Sequence, residues 1–219
     1  MEAQLVALSC WDFEGRHAGE TIYVLGSGKT LDYVNRSFFD GKVVVATNHS
    51  WKGKADHAYV CSNHWGTEWS EYLVVTESEQ VPASDRYAGS RPDGDRVIVV
   101  PSIEQRYADF TPGRDWPERG RFVVGPTSLH LAMHWAVWLG AAHLVMIGAD
   151  CGEIDGSNNR VGYYGPTRNM AAEQHAHHRL WQTKLEEMAA KIRSLGVSVH
   201  SLNPWVTFGL EGHRWEQRR

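Results

Sequence analysis

The stretch from Val123 to Cys151, VVGPTSLHLAMHWAVWLGAAHLVMIGADC, constrains the fold more than any other part of the chain. It begins with a chain-breaking Gly125-Pro126 pair, after which Thr127 or Ser128 is suited to capping a helix. Gly140 is suited to ending that helix in the left-handed conformation. Nearly every position in between is apolar, so the sequence predicts a buried helix.

A strand is predicted directly after this helix. Residues 144–147 form a short continuous apolar run, which is typical of a parallel strand covered on both faces. The run ends at Gly148-Ala149-Asp150, and ligands of open α/β sheets bind beyond the carboxyl ends of the strands. Asp150 is therefore the first candidate for a site residue.

The size and charge of the chain favour one α/β domain covering residues 1–219. A chain of 219 residues can form a single domain with a large core. With 22 basic and 26 acidic residues, it has no overall positive field to attract DNA or an anionic membrane. Its amino terminus lacks a basic leader and no stretch approaches a membrane span, so we expect a cytoplasmic protein. Cys10, Cys61 and Cys151 are too scattered for a disulfide framework and are expected to be small buried hydrophobes.

A glycine-rich turn follows the predicted strand Thr21–Leu25. Its sequence, Gly26-Ser27-Gly28-Lys29-Thr30, contains the GKT of a P-loop, but Tyr23 stands where that motif requires its first glycine. The dinucleotide-binding fingerprint also fails, because its third glycine is replaced by Leu31. We expect either a turn into a helix whose first amides face the ligand edge and hold an anion, or a purely structural turn.

Two further strands are predicted to end in asparagine. Val43–Thr47 precedes Asn48, and the short strand His57–Cys61 precedes Asn63. Asparagine offers a donor and an acceptor, which suits contact with a base edge or a ribose. Asparagine is also favoured in turns, so turn capping is the alternative interpretation.

Three regions fall outside this regular pattern. Residues 1–20 are predicted to form an edge strand or a lid over the sheet. Residues 77–121 and 151–169 are polar and rich in glycine and proline, and are predicted to be loops or lids, apart from a strand at Arg96–Val100. Arginines alternate with aromatic residues in 77–121, which suits an acceptor-binding rim or a clamp on a nucleic-acid strand.

The acidic loop after the central strand adds polar candidates. Asp150, Glu153 and Asp155 offer carboxylates to a divalent ion, but their spacing is not that of a calcium loop, and turn chemistry is the alternative. Tyr163 and Tyr164 are phenols able to donate a proton to a leaving group.

A long helix is predicted from about Met170 to Ser194, followed by a strand at Val197–Leu202. Its periodicity places His178 on the core-facing side of the first turns, with His175 one turn earlier. That end of the helix abuts the ligand edge of the sheet, where a histidine can act as a base near neutral pH. The apolar stripe of the helix consists of Trp181, Leu185, Met188, Ile192 and Leu195.

Other histidines have alternative interpretations. The cluster His175, His177 and His178 suits a metal, although neighbouring imidazoles on one helix cannot all converge. His130 and His134 are spaced four apart but lack the glutamate of a zinc-protease motif, so we interpret them as ordinary helix residues.

Four landmarks, taken in order, resemble a known family. IYVLGSGKTLDYV resembles its strand-to-helix turn, and VVVATNHSW and AYVCSN its two strands ending in asparagine. PTSLHLAMHWAVWLGAAHLVMIGAD resembles its block of T-S, apolar helix, glycine and aspartate. The chain is thus similar to the bacterial sialyltransferases of glycosyltransferase family 42 and to the related motility-accessory and hydroxymethylpterin-pyrophosphokinase-like proteins. The resemblance implies an α/β fold: a single Rossmann-like nucleotide-sugar-binding domain with a mainly parallel sheet and helices on both faces.

The resemblance also implies roles for individual residues. His178, or else His175, would be the catalytic base, and Tyr163 or Tyr164 would help the phosphate to leave. Lys29 and Asp150, which the residue pattern alone singles out, join the implied nucleotide-binding residues. Those residues are Gly26, Ser27, Gly28, Thr30, Asn48, Asn63, Thr127 and Ser128.

The sequence departs from the family at three positions. Ser27 replaces an asparagine, Lys29 a proline and Leu129 a glycine. The positive charge of Lys29 would suit a nucleoside diphosphate sugar as an alternative donor to a CMP-sugar.

The favoured function is transfer of a sugar from a nucleotide-activated donor, CMP-sialic-acid-like or other, to an acceptor hydroxyl. The acceptor would be a glycan, a small molecule or a modified DNA base. No cofactor is required for this chemistry, and Mg²⁺ or Mn²⁺ is the expected ion if a metal is used. One alternative is a magnesium-dependent pyrophosphokinase or other phosphotransferase, favoured by Lys29 and the acidic loop. Another is a non-catalytic nucleotide- or nucleic-acid-binding module. The ten tryptophans suit a carbohydrate platform or the contact of a homo-oligomer, although core packing is the simpler interpretation for most of them.

Overall fold

The computed structural model of the chain shows an α/β fold built on a parallel sheet. The structure describes residues 8–62, 71–76, 96–104, 116–125, 127–151 and 172–202, without the side chains at 102–104, 124 and 172–179. The strands are β1 (Leu8–Ser9), β2 (Thr21–Leu25), β3 (Val43–Thr47), β4 (Tyr59–Cys61), β5 (Tyr72–Thr76), β6 (Val97–Val100), β7 (Ser102–Glu104), β8 (Phe122–Val124), β9 (His143–Ile147) and β10 (Ser198–Ser201). The α-helices are α1 (Ser128–Trp138) and α2 (Ala172–Ser194), and short 3₁₀ helices span Cys10–Phe13, Lys29–Tyr33 and Arg36–Phe39.

Eight strands form one sheet in the order β1-β6-β5-β4-β3-β2-β9-β10, while β7 pairs with β8. Every pairing among these described strands is parallel. From β2 the chain builds outward through β3, β4, β5 and β6, and then returns to place β9 and β10 on the other side of β2. The strand order therefore reverses between β2 and β9.

The strand interiors follow from continuous apolar, β-branched sequence. The predictions for β2 and β3 are confirmed at both ends, and those for β4, β6, β9 and β10 are confirmed within two residues of each end. The sequence interpretation missed β5, β7 and β8, and β7 lies within the predicted loop region 77–121. The YLVVT of β5 has the same character as the confirmed strands. All these strands are buried on at least one face, as expected for a parallel sheet.

The two α-helices pack on one face of the sheet. On that face the side chains of Leu131, Trp135, Leu185 and Ile192 join one buried cluster with residues of the strands. The opposite face is covered by the 3₁₀ helices Lys29–Tyr33 and Arg36–Phe39, through side chains that include Leu31 and Phe39, whereas Cys10 and Phe13 join the cluster of the α-helices. Helices were expected on both faces, but within the described residues the α-helices lie on one face and 3₁₀ helices on the other. The connection at 26–42 contains two 3₁₀ helices and turns, and the connection at 48–58 contains turns, so neither supplies an α-helix to that face.

The amino-terminal segment caps the carboxyl end of α1. The backbone amides of Gly15, His17 and Gly19 donate to the carbonyls of Trp138, Leu139 and Gly140 at 2.9, 2.7 and 3.0 Å. These bonds satisfy carbonyls that a helix end leaves unpaired. Because β1 pairs with β6, the edge-strand alternative is confirmed for Leu8–Ser9. Cys10 and Phe13 pack on the face of the sheet that the α-helices cover, and residues 15–19 lie against the carboxyl end of α1.

Both ends of α1 lie where the sequence predicts them. Gly140 has φ +90°, which confirms the left-handed end. Thr127 occupies the N-cap position but makes no side-chain capping bond. Its hydroxyl instead contacts His130 Nδ1 at 3.1 Å, so capping by the Thr127 side chain is wrong.

The stripe on α2 is confirmed except at its end. Leu185, Met188 and Ile192 are fully buried and Trp181 is partly buried, but Leu195 is 47 % exposed because the helix ends at Ser194. None of the described helices has the length and apolar character needed to cross a membrane. The three cysteines are free thiols, with Cys10 and Cys61 buried and Cys151 partly buried.

Candidate functional site

The candidate site lies at the carboxyl edge of the sheet, where the strand order reverses between β2 and β9. At such a reversal the turns after the two strands flank a crevice that binds ligands in open α/β sheets. The turns after β2, β3 and β9 contain many of the residues predicted from the sequence.

The turns after β2 and β9 are joined by backbone hydrogen bonds. The Gly26 amide donates to the Ile147 carbonyl at 2.8 Å, and the Gly28 amide to the Gly148 carbonyl at 2.7 Å. A Cβ at Gly28 would lie 2.5 Å from Asp150 Oδ2 and 2.6 Å from the Gly148 oxygen. A Cβ at Gly26 would overlap the Gly148 oxygen. Glycine is therefore required here for the close approach of two backbones.

Asp150 completes this junction from the end of β9. Its side chain is buried, with the residue 5 % exposed. Its carboxylate accepts from the Thr30 amide at 2.8 Å and from the Thr30 hydroxyl. Hydrogen bonds to a carboxylate are stronger than those between neutral groups.

These bonds correct the prediction for the glycine turn. The expected helix is a 3₁₀ helix of five residues, and the amides of Gly26, Gly28 and Thr30 donate to groups of the turn after β9. Because the Ile147 and Gly148 carbonyls and the Asp150 carboxylate accept these bonds, these three amides are not available to an anion. Ser27 and Lys29 alternate with these buried residues and are partly exposed.

Lys29 forms an ion pair within the same turn. Its Nζ lies 2.9 Å from Asp32 Oδ2, and both side chains are mostly buried. The positive charge that the sequence assigned to a diphosphate is therefore already balanced by a neighbouring carboxylate.

Asn48 is held in an uncommon conformation at the end of β3. Its φ is +49°, in the left-handed region that asparagine tolerates better than most residues. Its amide donates to the Cys61 carbonyl at 3.0 Å, and its Oδ1 accepts from the Ser62 hydroxyl at 2.9 Å. Within the described part of the chain, no hydrogen bond occupies its Nδ2 group. Asn48 therefore presents two N–H donors from a fixed side chain.

The turn after β3 is also anchored to β2. The hydroxyls of Thr47 and Ser50 both donate to the Leu25 carbonyl, at 3.1 and 2.9 Å. The Ser50 hydroxyl in turn accepts from the Thr47 amide at 3.0 Å. These bonds fix the position of Asn48 relative to the glycine turn.

Cys151 is the second non-glycine residue with a left-handed backbone at this edge. Its φ is +50°, and it directly follows Asp150. Burial, followed by the charges of Asp150 and Glu186, raises the pKa of the thiol to about 12. Cys151 is therefore a protonated thiol at neutral pH and not a thiolate nucleophile.

Helix α1 begins on the side of the candidate site. Its carboxyl end leads into the amino end of β9, so its first residues, Thr127 and Ser128, point to the carboxyl edge of the sheet. The expectation that His130 and His134 are ordinary helix residues agrees with their burial. Burial lowers the pKa of His130 to about 4 and that of His134 to about 3, so neither ring is charged at neutral pH.

Helix α2 projects beyond the sheet at the same edge. Its 23 residues span about 35 Å, whereas the strands of four or five residues span about 13–17 Å. Its last residue, Ser194, leads into the amino end of β10, so its first turns extend past the carboxyl edge. His175 and His178 lie in those first turns, although their side chains are outside the described part.

The remaining predicted site residues lie outside the described residues. These are Asn63, Glu153, Asp155, Tyr163 and Tyr164. Among the residues that the structure does describe, no group of three or more His, Cys, Asp or Glu side chains is placed to hold a metal ion. The roles proposed for all these residues stay predictions.

Sequence reasoning missed the residues that hold the site together. Thr47, Ser50 and Ser62 carry the bonds around Asn48, and Asp32 balances Lys29. A signal was present for Ser50 and Ser62, because both stand in polar turns directly after predicted strands. A comparison of the chain with protein-family models, with curated proteins and with solved structures finds no significant match.

Proposed function

We propose that this chain is a glycosyltransferase that binds a nucleotide-activated sugar at the carboxyl edge of a Rossmann-like sheet. One observation carries the proposal most directly. Two non-glycine residues in the described part of the chain have positive φ, and both lie at this edge. Asn48 directly follows β3, and Cys151 lies in the turn after β9. Strained backbone persists where surrounding structure over-determines it, and it is concentrated at functional sites.

Asn48 is suited to bind the nucleotide. Its Oδ1 is fixed by Ser62, so its Nδ2 hydrogens are pre-oriented donors for a base carbonyl or a ribose oxygen. The first turn of α1, at Thr127 and Ser128, adds backbone amides and a helix dipole that favour a phosphate at the same edge. This pair also matches the T-S of the sialyltransferase-like proteins.

The ion pair between Lys29 and Asp32 favours a CMP-sugar over a nucleoside diphosphate sugar. A diphosphate donor carries more negative charge, and its transfer needs more positive charge from the protein or a metal. Lys29 already forms a pair with Asp32 at 2.9 Å, so its charge is largely neutralised.

The Asp150 contacts favour glycosyl transfer over magnesium-dependent phosphotransfer. A magnesium site requires carboxylate oxygens directed to the ion. Both oxygens of Asp150 instead accept hydrogen bonds from Thr30, and Lys29 is paired with Asp32. Lys29 and Asp150, two of the residues on which the phosphotransfer alternative rested, are thus engaged within the protein, while Glu153 and Asp155 lie outside the described residues.

In the proposed reaction the acceptor hydroxyl attacks the anomeric carbon of the donor sugar and the nucleotide leaves through its phosphate. His178, or else His175, takes the proton of the acceptor hydroxyl, and Tyr163 or Tyr164 stabilises the leaving phosphate. These four assignments rest on the family resemblance and on the start of α2 at the carboxyl edge.

Nucleotide release from CMP-sialic acid, with UDP- and GDP-sugars as comparisons, tests this proposal. We expect release of CMP that increases when glycan acceptors are added. His178→Ala should keep nucleotide binding and lose most of the transfer, while the exposed His57→Ala keeps wild-type turnover. Unchanged turnover in both the His178 and His175 variants would contradict the assignment of the base. No release from any nucleotide sugar would contradict the function itself.

A further inference from the structure

Two histidines and a serine form a cluster on strands β9 and β10, on the face of the sheet opposite the α-helices. His143 is the first residue of β9 and pairs in register with Ser198, the first residue of β10. His200 lies two residues further along β10. Because side chains alternate along a strand, Ser198 and His200 are on the same face.

Both imidazole rings converge on one hydroxyl oxygen. His143 Nδ1 lies 2.6 Å from Ser198 Oγ, and His200 Nε2 lies 3.2 Å from the same atom. A hydroxyl has a single proton, so it donates to one ring nitrogen and accepts an N–H from the other ring. The hydroxyl therefore orients one nitrogen of each ring to the same point.

The cluster is accessible and separate from the candidate site. His143 and His200 are both exposed, whereas Val199, between Ser198 and His200, is buried on the opposite face. His143 stands at the amino end of β9, about 13 Å along the strand from the carboxyl edge. The strand backbones hold the rings, since β9 is paired on both sides, with β2 and with β10.

We propose that His143 and His200 bind one divalent transition-metal ion, with Ser198 as the group that orients the rings. Imidazole nitrogen is a preferred ligand of Cu²⁺, Ni²⁺ and Zn²⁺, at metal–nitrogen distances of about 2.0–2.1 Å. The ion takes the place of the two hydrogen bonds to Ser198 Oγ, because it binds the same ring nitrogens, and water completes its coordination. Cu²⁺ binds most tightly, in accord with the general order of affinity, and Mg²⁺ and Ca²⁺, which prefer oxygen ligands, do not bind.

In the absence of the ion, the Ser198 hydroxyl holds both rings in place through His143 Nδ1 and His200 Nε2. A bound ion replaces these two hydrogen bonds, so Ser198 contributes by fixing the ring positions before the ion binds. The site connects β9 to the edge strand β10, so a bound ion stabilises the native state in proportion to its concentration.

Titration of the full, untagged and chelator-treated chain with Cu²⁺, followed by electron paramagnetic resonance, tests the proposal. We expect a signal with two nitrogen ligands. His143→Gln and His200→Gln should each lower the affinity of this site by more than about tenfold. The matched control is His57→Gln, which removes another exposed histidine and should leave the signal unchanged. Equal affinity and an equal two-nitrogen signal in all four proteins would overturn the proposal.

A second measurement does not depend on the variants. In the wild-type chain, substoichiometric Cu²⁺ should broaden the ring resonances of His143 and His200 before those of His57. Earlier broadening of His57, with His143 and His200 unaffected, would overturn the proposal. Both readouts are independent of nucleotide binding, so their outcome is distinct from that of the proposed transferase function.

Discussion

The carboxylate of Asp150 accepts hydrogen bonds from both the amide and the hydroxyl of Thr30, a residue 120 positions earlier in the chain. This contact joins the end of β9 to the turn after β2 at the point where the strand order reverses. Both residues are buried, so the bonds are shielded from water. The candidate site is therefore built on a fixed junction.

Removal of the Thr30 hydroxyl should weaken this junction. Thr30→Val keeps the shape of the side chain and the amide bond but loses the hydroxyl bond to Asp150. We expect the free energy of unfolding to fall by about 1.5–3 kcal/mol, the usual contribution of a hydrogen bond to a charged group. Urea denaturation of the wild type and the variant measures this difference.

The same substitution at Thr21 is the matched control. The Thr21 hydroxyl makes no hydrogen bond within the described part of the chain, so Thr21→Val should change the stability little. If Thr30→Val costs no more than Thr21→Val, the bond between Thr30 and Asp150 is not a stabilising contact.

An added methyl group at Gly28 should disrupt the contact between the two turns. The backbone of Gly28 has φ −67°, which alanine adopts without strain, so any cost arises from the clash with Asp150 and Gly148. We expect Gly28→Ala to lower the free energy of unfolding by about 3 kcal/mol or more, at the upper end of overpacking effects.

Gly196→Ala separates this clash from backbone strain. Gly196 has φ +89° and open space around it, so alanine there costs only about 1–2 kcal/mol for the left-handed conformation. Chemical denaturation should rank Gly28→Ala as the more destabilising change. The reverse order would show that the turns after β2 and β9 are not in close contact.

The stability of the protein should fall as the pH drops below 6.5. His134 Nδ1 accepts from the Val123 amide at 3.0 Å, and burial lowers the pKa of this ring to about 3. In the unfolded chain a histidine titrates near 6.5, so between these values only the unfolded state binds the proton. Stability is thus fully present above pH 6.5 and is lost as the pH falls to about 3. His130, whose pKa is lowered to about 4, acts in the same direction.

His134→Asn isolates this effect, because the Asn oxygen can replace Nδ1 as the acceptor but does not titrate. Between pH 7 and pH 5 the wild type should lose about 2 kcal/mol more stability than this variant. The control is His57→Asn, whose ring is exposed, and it should lose as much as the wild type. An equal loss in wild type and His134→Asn would contradict the neutral, buried state of His134.

Local features of the fold were predictable from the sequence. Val43–Thr47 and the apolar run before Gly148 specify buried parallel strands, and the end of α1 follows from Gly140. The strand Tyr72–Thr76 has an equally clear apolar signal, so it was open to the same reasoning. The placement of both α-helices on one face was not predictable from the sequence. It depends on how the segments 26–42 and 48–58 cover the other face.

The candidate site was predictable in position but not in its connections. Asn48 and Asp150 were recognised because polar residues directly after buried strands lie at the ligand edge. That Asp150 binds Thr30 depends on the parallel register of β2 with β9, which brings together residues distant in sequence. The glycines were interpreted either as an anion-binding turn or as a structural turn, and the structure shows that they permit close backbone contact. Glycine spacing alone does not distinguish these two requirements.

The most direct test of the account is a thermal-shift measurement of the wild type and Asn48→Gly with CMP and CMP-sialic acid, without metal. Glycine keeps the left-handed backbone of Asn48 and removes its amide donors. A ligand that binds only the native state raises the melting temperature. We predict that both nucleotides raise the melting temperature of the wild type and raise that of Asn48→Gly much less. No shift in the wild type, or equal shifts in the two proteins, would contradict a nucleotide site at this edge.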